Sequence, residues 1–182
     1  MATTEHAMTA NRLLQTPGLG RCELLQGELI MMSPAGEEHG AIAARLTIRL
    51  GVFVLERGLG RVFGAETGFL IARDPDTVRA PDMAFIRAER LSPTPGKGFF
   101  PGPPDLAVEV ISPNDRAGEV LAKVHNWLDA GSRAVWLVDP DTRSITVYRS
   151  RSEIRVLAPG DLLSGEDVVP GFGMPVAEVF ST

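Results

Sequence analysis

From Pro103 to Arg149 the spacing of apolar residues changes period, and the changes predict strand, helix, strand, strand. Leu106, Val108 and Val110 alternate with Asp105, Ala107 and Glu109, and nearly everything except the two carboxylates is apolar. That is the pattern of a strand covered on both faces. Ser112, Pro113 and Asp115 stand where an N-cap, a first helical residue and a capping-box acid would stand. The spacing therefore predicts a helix from there to Ala130, stopped by Gly131. Leu121, Val124 and Leu128 form its predicted buried stripe, while Val120, Lys123 and Trp127 share the neighbouring face.

The rest of the chain reads by the same rules. Residues 8–16 predict a short helix capped by Thr9, and Cys22 to Met32 predicts a hairpin turning near Gly27. From Glu37 to Arg57, the residues Ile42, Leu46, Leu50, Phe53 and Val54 recur at helical spacing, with His39 in the first turn. Arg61 to Ala72 alternates as one strand, Asp74, Pro75 and Asp76 make a solvated turn, and Pro81 to Arg87 predicts another strand. The stretch SPTPGKGFFPGPP is too rich in Pro and Gly for regular structure. A strand near Ile154 to Leu157 and the tail GFGMPVAEVF complete the chain. With no internal repeat and no linker, the expectation is one α/β domain over residues 1–182, a mixed sheet between helices with an N-terminal β-hairpin.

Composition narrows the function. The chain has 182 residues, 44% of them hydrophobic, which suffices for a full core. Its single cysteine, Cys22, excludes an internal disulfide and any multi-cysteine zinc site, and fits a reducing cytoplasm. No apolar run approaches a membrane span, and the polar start MATTEHAMTANR lacks the pattern of a signal peptide. A net charge of -5 argues against broad, non-specific affinity for nucleic acid, although grouped acids at a metal site can hide a local basic surface.

Three residues carry candidate chemistry: Asp82 in RAPDMAFI, Glu109 in PPDLAVEVI, and Lys123. An ionised Glu109 in an apolar strand needs a partner, and a helix folded back over the sheet brings Lys123 nearly level with it. Two carboxylates on neighbouring strands can hold a hard cation such as Mg2+ and leave room for water and phosphate oxygens. A lysine beside them can orient or deprotonate the attacking water, or stabilise charge on phosphate. Of eighteen cationic residues, sixteen are arginines, and Lys97 and Lys123 are the only lysines. Lys97 lies in the glycine-rich loop, so Lys123 stands out as a position needing a compact, titratable amine. The rival reading is a plain structural ion pair between Glu109 and Lys123.

The segments CELLQGELIMMSP with His39 following, RAPDMAFI, PPDLAVEVISPNDR, KVHNWLDAGSRAVWLVDP with VYR beyond it, and PGFGMPVAEVF stand in one order along nearly the whole chain. In these the chain resembles the Uma2 family of endonucleases, within the PD-(D/E)XK nuclease superfamily. The resemblance implies a restriction-endonuclease-like fold, a DNA substrate, Mg2+ or Mn2+ as cofactor, and a homodimer as the simplest route to cutting two strands. It implies that Pro81 and Asp82 form the PD element, that Glu109 is the acid of the second element, and that Val110 lends its backbone carbonyl to the metal. Position 111 departs from the superfamily pattern, since Ile111 stands where a lysine is expected, and Lys123 fits the pattern of relatives that supply the amine from the following helix. His39 is an accessory candidate, Glu38 and Glu66 are weaker candidates for an extra acid at the metal, and Trp127 and Trp136 read as core. A non-catalytic DNA-binding or partner-binding module on this fold, and a phosphoesterase acting on small nucleotides, are the alternative functions.

Overall fold

A computed structural model describes residues 7–181. Helix α1 (Ala10–Gln15) starts where Thr9 caps it, its hydroxyl accepting from the Arg12 N–H at 3.2 Å. Strands β1 (Cys22–Leu25) and β2 (Glu28–Met31) form the hairpin, turning on Gln26 and Gly27, both at positive φ. Helix α2 (Glu37–Arg57) follows, then β3 (Gly60–Gly64), β4 (Phe69–Ala72), β5 (Thr77–Arg79) and β6 (Met83–Arg87). After the two-residue strand β7 (Phe100–Pro101) come β8 (Leu106–Val110), α3 (Ala117–Ala130), β9 (Ala134–Asp139), β10 (Ser144–Tyr148) and β11 (Ile154–Leu157). The tail adds β12 (Leu162–Ser164), β13 (Gly173–Pro175) and α4 (Val176–Val179).

Two larger sheets result. One has the order β2-β1-β5-β4-β7, and the other the order β11-β10-β9-β8-β6-β3, in which β8 and β9 run parallel across the α3 crossover. Alternation along the strands of the six-stranded sheet assigns its two faces. Met83, Phe85, Leu106 and Val108 pack with Ile42, Leu46, Leu50 and Val54 of α2. Ala84, Ile86, Ala107 and Val135 pack with Val124 and Trp127 of α3. The architecture is a mixed α/β arrangement with its main sheet between two helices. Among the described residues, no helix is long and apolar enough to cross a membrane.

Several elements differ from expectation for identifiable reasons. Helix α3 begins at Ala117 instead of near Ser112, because Ser112 and Asp115 close a turn on themselves. The Asp115 carboxylate accepts from the Ser112 N–H at 2.9 Å and the Asp115 N–H returns to the Ser112 carbonyl, after which Arg116 is extended. The helix does stop at Gly131, which sits at φ 108 in the left-handed region. Its buried residues are Val124 and Trp127, while Leu121 is 42% exposed, so the inner stripe is rotated towards the face that carries Lys123.

The single strand expected over Arg61–Ala72 is two strands in different sheets, broken between Gly64 and Phe69. Gly68 has no room for a side chain, since a Cβ there would lie 2.3 Å from the Phe99 ring. The strand expected from Pro81 starts only at Met83, and the chain reaches it from β5, crossing from one sheet to the other through Ala80, Pro81 and Asp82. Asp82 therefore stands at the seam of the two sheets.

Candidate active site

Strand register brings the two predicted carboxylates together. Met83 of β6 pairs with Val108 of β8 in antiparallel fashion, so one step outward puts Asp82 opposite Glu109. The next residue along closes the contact: the Val110 N–H donates to Asp82 Oδ2 at 2.8 Å. Both carboxylates are buried.

Their surroundings differ. Asp82 Oδ2 also lies 3.2 Å from His39 Nε2, and its Oδ1 lies 3.5 Å from an Arg21 guanidinium nitrogen. Burial pushes Asp82 upward, but the hydrogen bonds from His39 and Val110 and the charges of His39 and Lys123 outweigh it, leaving the carboxyl below its ordinary value. Glu109 Oε1 accepts from the Trp127 indole N–H at 2.7 Å, and Oε2 faces the Lys123 amine at 3.6 Å. Burial is the largest influence on Glu109, and with repulsion from Asp82 and Glu23 it lifts the carboxyl to about 7 against the pull of Lys123 and Trp127. Burial works against the charge on Lys123, yet Glu109 and then Glu23 more than compensate, so the amine stays above its ordinary value.

Helix α3 makes this arrangement possible by spacing alone. Lys123 and Trp127 are four residues apart, one turn, and both reach the same carboxylate. Trp127 is core as expected, but it also satisfies Glu109, a role its sequence context does not announce. Ile111, two residues beyond Glu109, packs on the same side of the sheet against the cluster of Val124 and Trp127.

The accessory candidates separate. His39, at the first turn of α2, is buried with Nε2 on Asp82 and with a buried Nδ1 that has no partner among the described residues. Its bond to Asp82 is the largest of the influences that raise its pKa above the ordinary value. Glu38 is exposed and forms no ion pair among the described residues. Glu66 is exposed and pairs at 3.8 Å with Arg21, not with Asp82 or Glu109. A cleft of about 700 Å3 opens here, with Arg21, His39, Glu66 and Asp82 among its polar lining and Ala43, Ala44 and Ile48 of α2 among its apolar lining.

Sequence reasoning missed Arg21, Glu23, Arg79 and Asn126. Glu23 is buried in the apolar run CELL of β1, so the argument that singled out Glu109 in its strand would have found it. Arg79 and Asn126 have no such signal, because their positions only become adjacent where α3 meets strand β5.

The donor set suits one kind of ion. Asp82 and Glu109 offer hard carboxylate oxygens, but no group of three or more His, Cys, Asp or Glu residues that could hold a metal forms among the described residues. Two carboxylates with open positions match a cation that keeps several waters, as Mg2+ does, and do not match an all-protein cage.

The mixed α/β fold, with its main sheet between two helices, is of a nuclease-like kind. The model of the Uma2 family, described as "Putative restriction endonuclease", matches residues 10–177, and the chain belongs to that family. A solved structure with a similar fold is that of "a putative nuclease belonging to DUF820" from Anabaena variabilis ATCC 29413. It is 23% identical, with a TM-score of 0.81 over 95% of this chain and 97% of that one. A search of curated proteins finds no match.

Proposed function

We propose that the protein is a metal-dependent endonuclease that hydrolyses phosphodiester bonds in DNA, with Mg2+ or Mn2+ as cofactor. Asp82 and Glu109 would hold the cation together with the Val110 carbonyl, and the cation, when bound, supplies Lewis-acid activation of water and phosphate. Lys123 orients the attacking water or stabilises charge developing on the phosphate, with its amine held at the site by Glu109. His39 fixes the Asp82 carboxylate through Nε2, and Arg21 adds positive charge at the mouth of the cleft.

The observation that carries this reading is the Lys123 amine 3.6 Å from Glu109, delivered from α3 to the side of the sheet where Ile111 offers only an apolar side chain. A structural pair with Lys123 leaves Glu109, raised first by burial, still facing the repulsion of the Asp82 carboxylate opposite it. By holding a divalent cation, Asp82 and Glu109 would be relieved of that repulsion.

The test is a divalent-metal titration with supercoiled plasmid and, in parallel, with small nucleotides. Nicking or linearisation that needs Mg2+ or Mn2+ and stops with chelator is the expected result. Nucleotide hydrolysis with intact plasmid would make the protein a small-molecule phosphoesterase, and DNA binding without turnover under any metal would make it a binding module.

A further inference from the structure

Two deeply buried charged residues have no part in the reading above: Glu23 on β1, 2% exposed, and Arg79 on β5, 5% exposed. They hold each other, with Arg79 Nη1 donating to Glu23 Oε2 at 2.6 Å while the Ala80 N–H donates to Glu23 Oε1 at 3.0 Å. The rest of the guanidinium is also committed. Its Nη2 and Nε donate to Asn126 Oδ1 at 2.6 and 3.2 Å. Asn126 lies three residues beyond Lys123 on α3, directly before Trp127, so one arginine ties the hairpin sheet to the helix that delivers the amine.

That link matters because it brings a second carboxylate to the same helix. The Lys123 amine sits 3.6 Å from Glu109, while the Arg79 guanidinium spans from Glu23 to Asn126, three residues along α3 from Lys123. An ammonium on a flexible four-carbon stem can swing to whichever carboxylate is free. Glu23 is not free, since its two oxygens are taken by Arg79 and the Ala80 N–H.

We infer that Arg79 is a positioning residue for Lys123: by neutralising Glu23 and gripping Asn126, it reserves the lysine amine for Glu109 and the reacting phosphate. A planar fork of donors can serve a carboxylate and an amide at once, which a lysine at position 79 could not. The catalytic consequence rests on the nuclease reading, whereas the placement of the amine does not.

Crystal structures of Arg79→Met and Glu23→Gln test the placement without any assay of activity. In Arg79→Met the Lys123 amine moves off Glu109 and onto Glu23, and in Glu23→Gln it stays on Glu109. An amine still on Glu109 in Arg79→Met overturns the inference. If that variant does not fold, Arg79→Gln takes its place, since it keeps a hydrogen bond to Glu23 and removes the charge.

Plasmid cleavage gives the second arm. Arg79→Met loses roughly ten- to hundredfold in kcat with little change in KM, and adding Glu23→Gln restores most of it. Glu23→Gln alone stays near wild type. A merely structural pair would make both single variants equally poor, in parallel with their loss of stability, and that result overturns the positioning role. If the wild-type protein cleaves nothing, the nuclease reading fails while the crystallographic arm still decides where the amine goes.

Discussion

The two faces of the six-stranded sheet are built for different ends. Towards α2, the strands present Met83, Phe85, Leu106, Val108 and Val138, and the helix answers with Ile42, Leu46, Leu50 and Val54, an apolar contact that gives way to polar groups at the first turn of α2, where His39 meets Asp82. Towards α3, the same strands present Ala84, Ala107 and Glu109, and the helix answers with Val124, Trp127 and the Lys123 amine. Each residue buried on the first face adds roughly 1.5–3 kcal/mol of apolar burial. On the second face small residues leave room for charge, and an unpaired carboxylate there costs stability. One sheet thus supports a stabilising side and a reactive side separated only by the alternation of its side chains.

The comparison is sharpest for activity. Lys123→Ala should lower plasmid cleavage by about 10²–10⁴-fold, and at neutral pH it should also cost some stability, because it leaves the buried Glu109 carboxylate without its cation. Adding Ile111→Lys should restore part of the rate, since that position shares the side of Glu109, at some cost in stability from burying an amine among Val124 and Trp127. Wild-type cleavage by Lys123→Ala would move the role elsewhere, first to His39.

Metal binding should follow the same division. Calorimetry with Mn2+ should show one site, lost in Asp82→Ala and in Glu109→Ala and retained in Leu50→Ala. Binding unchanged in both carboxylate variants would end the assignment of the cation to them.

Stability should show the converse. Leu50→Ala, at a fully buried α2 position, should cost about 2–5 kcal/mol in urea unfolding. A Leu50→Ala variant as stable as wild type, or one that lost plasmid cleavage while folded, would erase the contrast between the faces.

The smallest effect concerns pH. Unfolded, Glu109 ionises near its ordinary 4.5, whereas in the folded chain burial holds it at about 7. Between those values the folded chain keeps a proton that the unfolded chain has released, so stability is highest at the acid end and falls as pH rises through the window. The loss is up to ~3 kcal/mol at full burial. His39, also raised, acts in the same direction above pH 6.5, so the contribution of Glu109 is the difference between wild type and Glu109→Gln in metal-free urea unfolding across pH 4.5 to 7. Parallel profiles for the two would show that the Glu109 carboxyl is not raised.

Much of this was legible where periodicity and burial coincide. The long helix α2 has its expected bounds, and the apolar alternation around Glu109 correctly implied a strand buried on both faces with a nearby cation. What escaped the sequence depended on distant partners. The turn at Ser112 to Asp115 uses residues that also start helices, and only the extended Arg116 after it decides the outcome. The break after Gly64 sends one alternating run into two sheets, and alternation cannot report a change of sheet. The Glu23–Arg79–Asn126 contacts span residues 47 and more positions apart, so they have no local pattern. For the candidate site, the nearness of Lys123 to Glu109 was readable, but the indole bond from Trp127 and the backbone bond from Val110 were not, because they follow from helix packing and strand register.

The bond from Val110 to Asp82 also equips the molecule with an internal probe. The Val110 amide belongs to the central sheet, yet its proton rests on a carboxylate proposed to receive the cation. Its nitrogen and proton resonances, and its rate of deuterium exchange, therefore register any change in the charge on that oxygen. Titrating a labelled sample with a diamagnetic ion such as Mg2+ would move this one strand signal ahead of its neighbours Leu106 and Ala107, in the absence of nucleic acid or turnover.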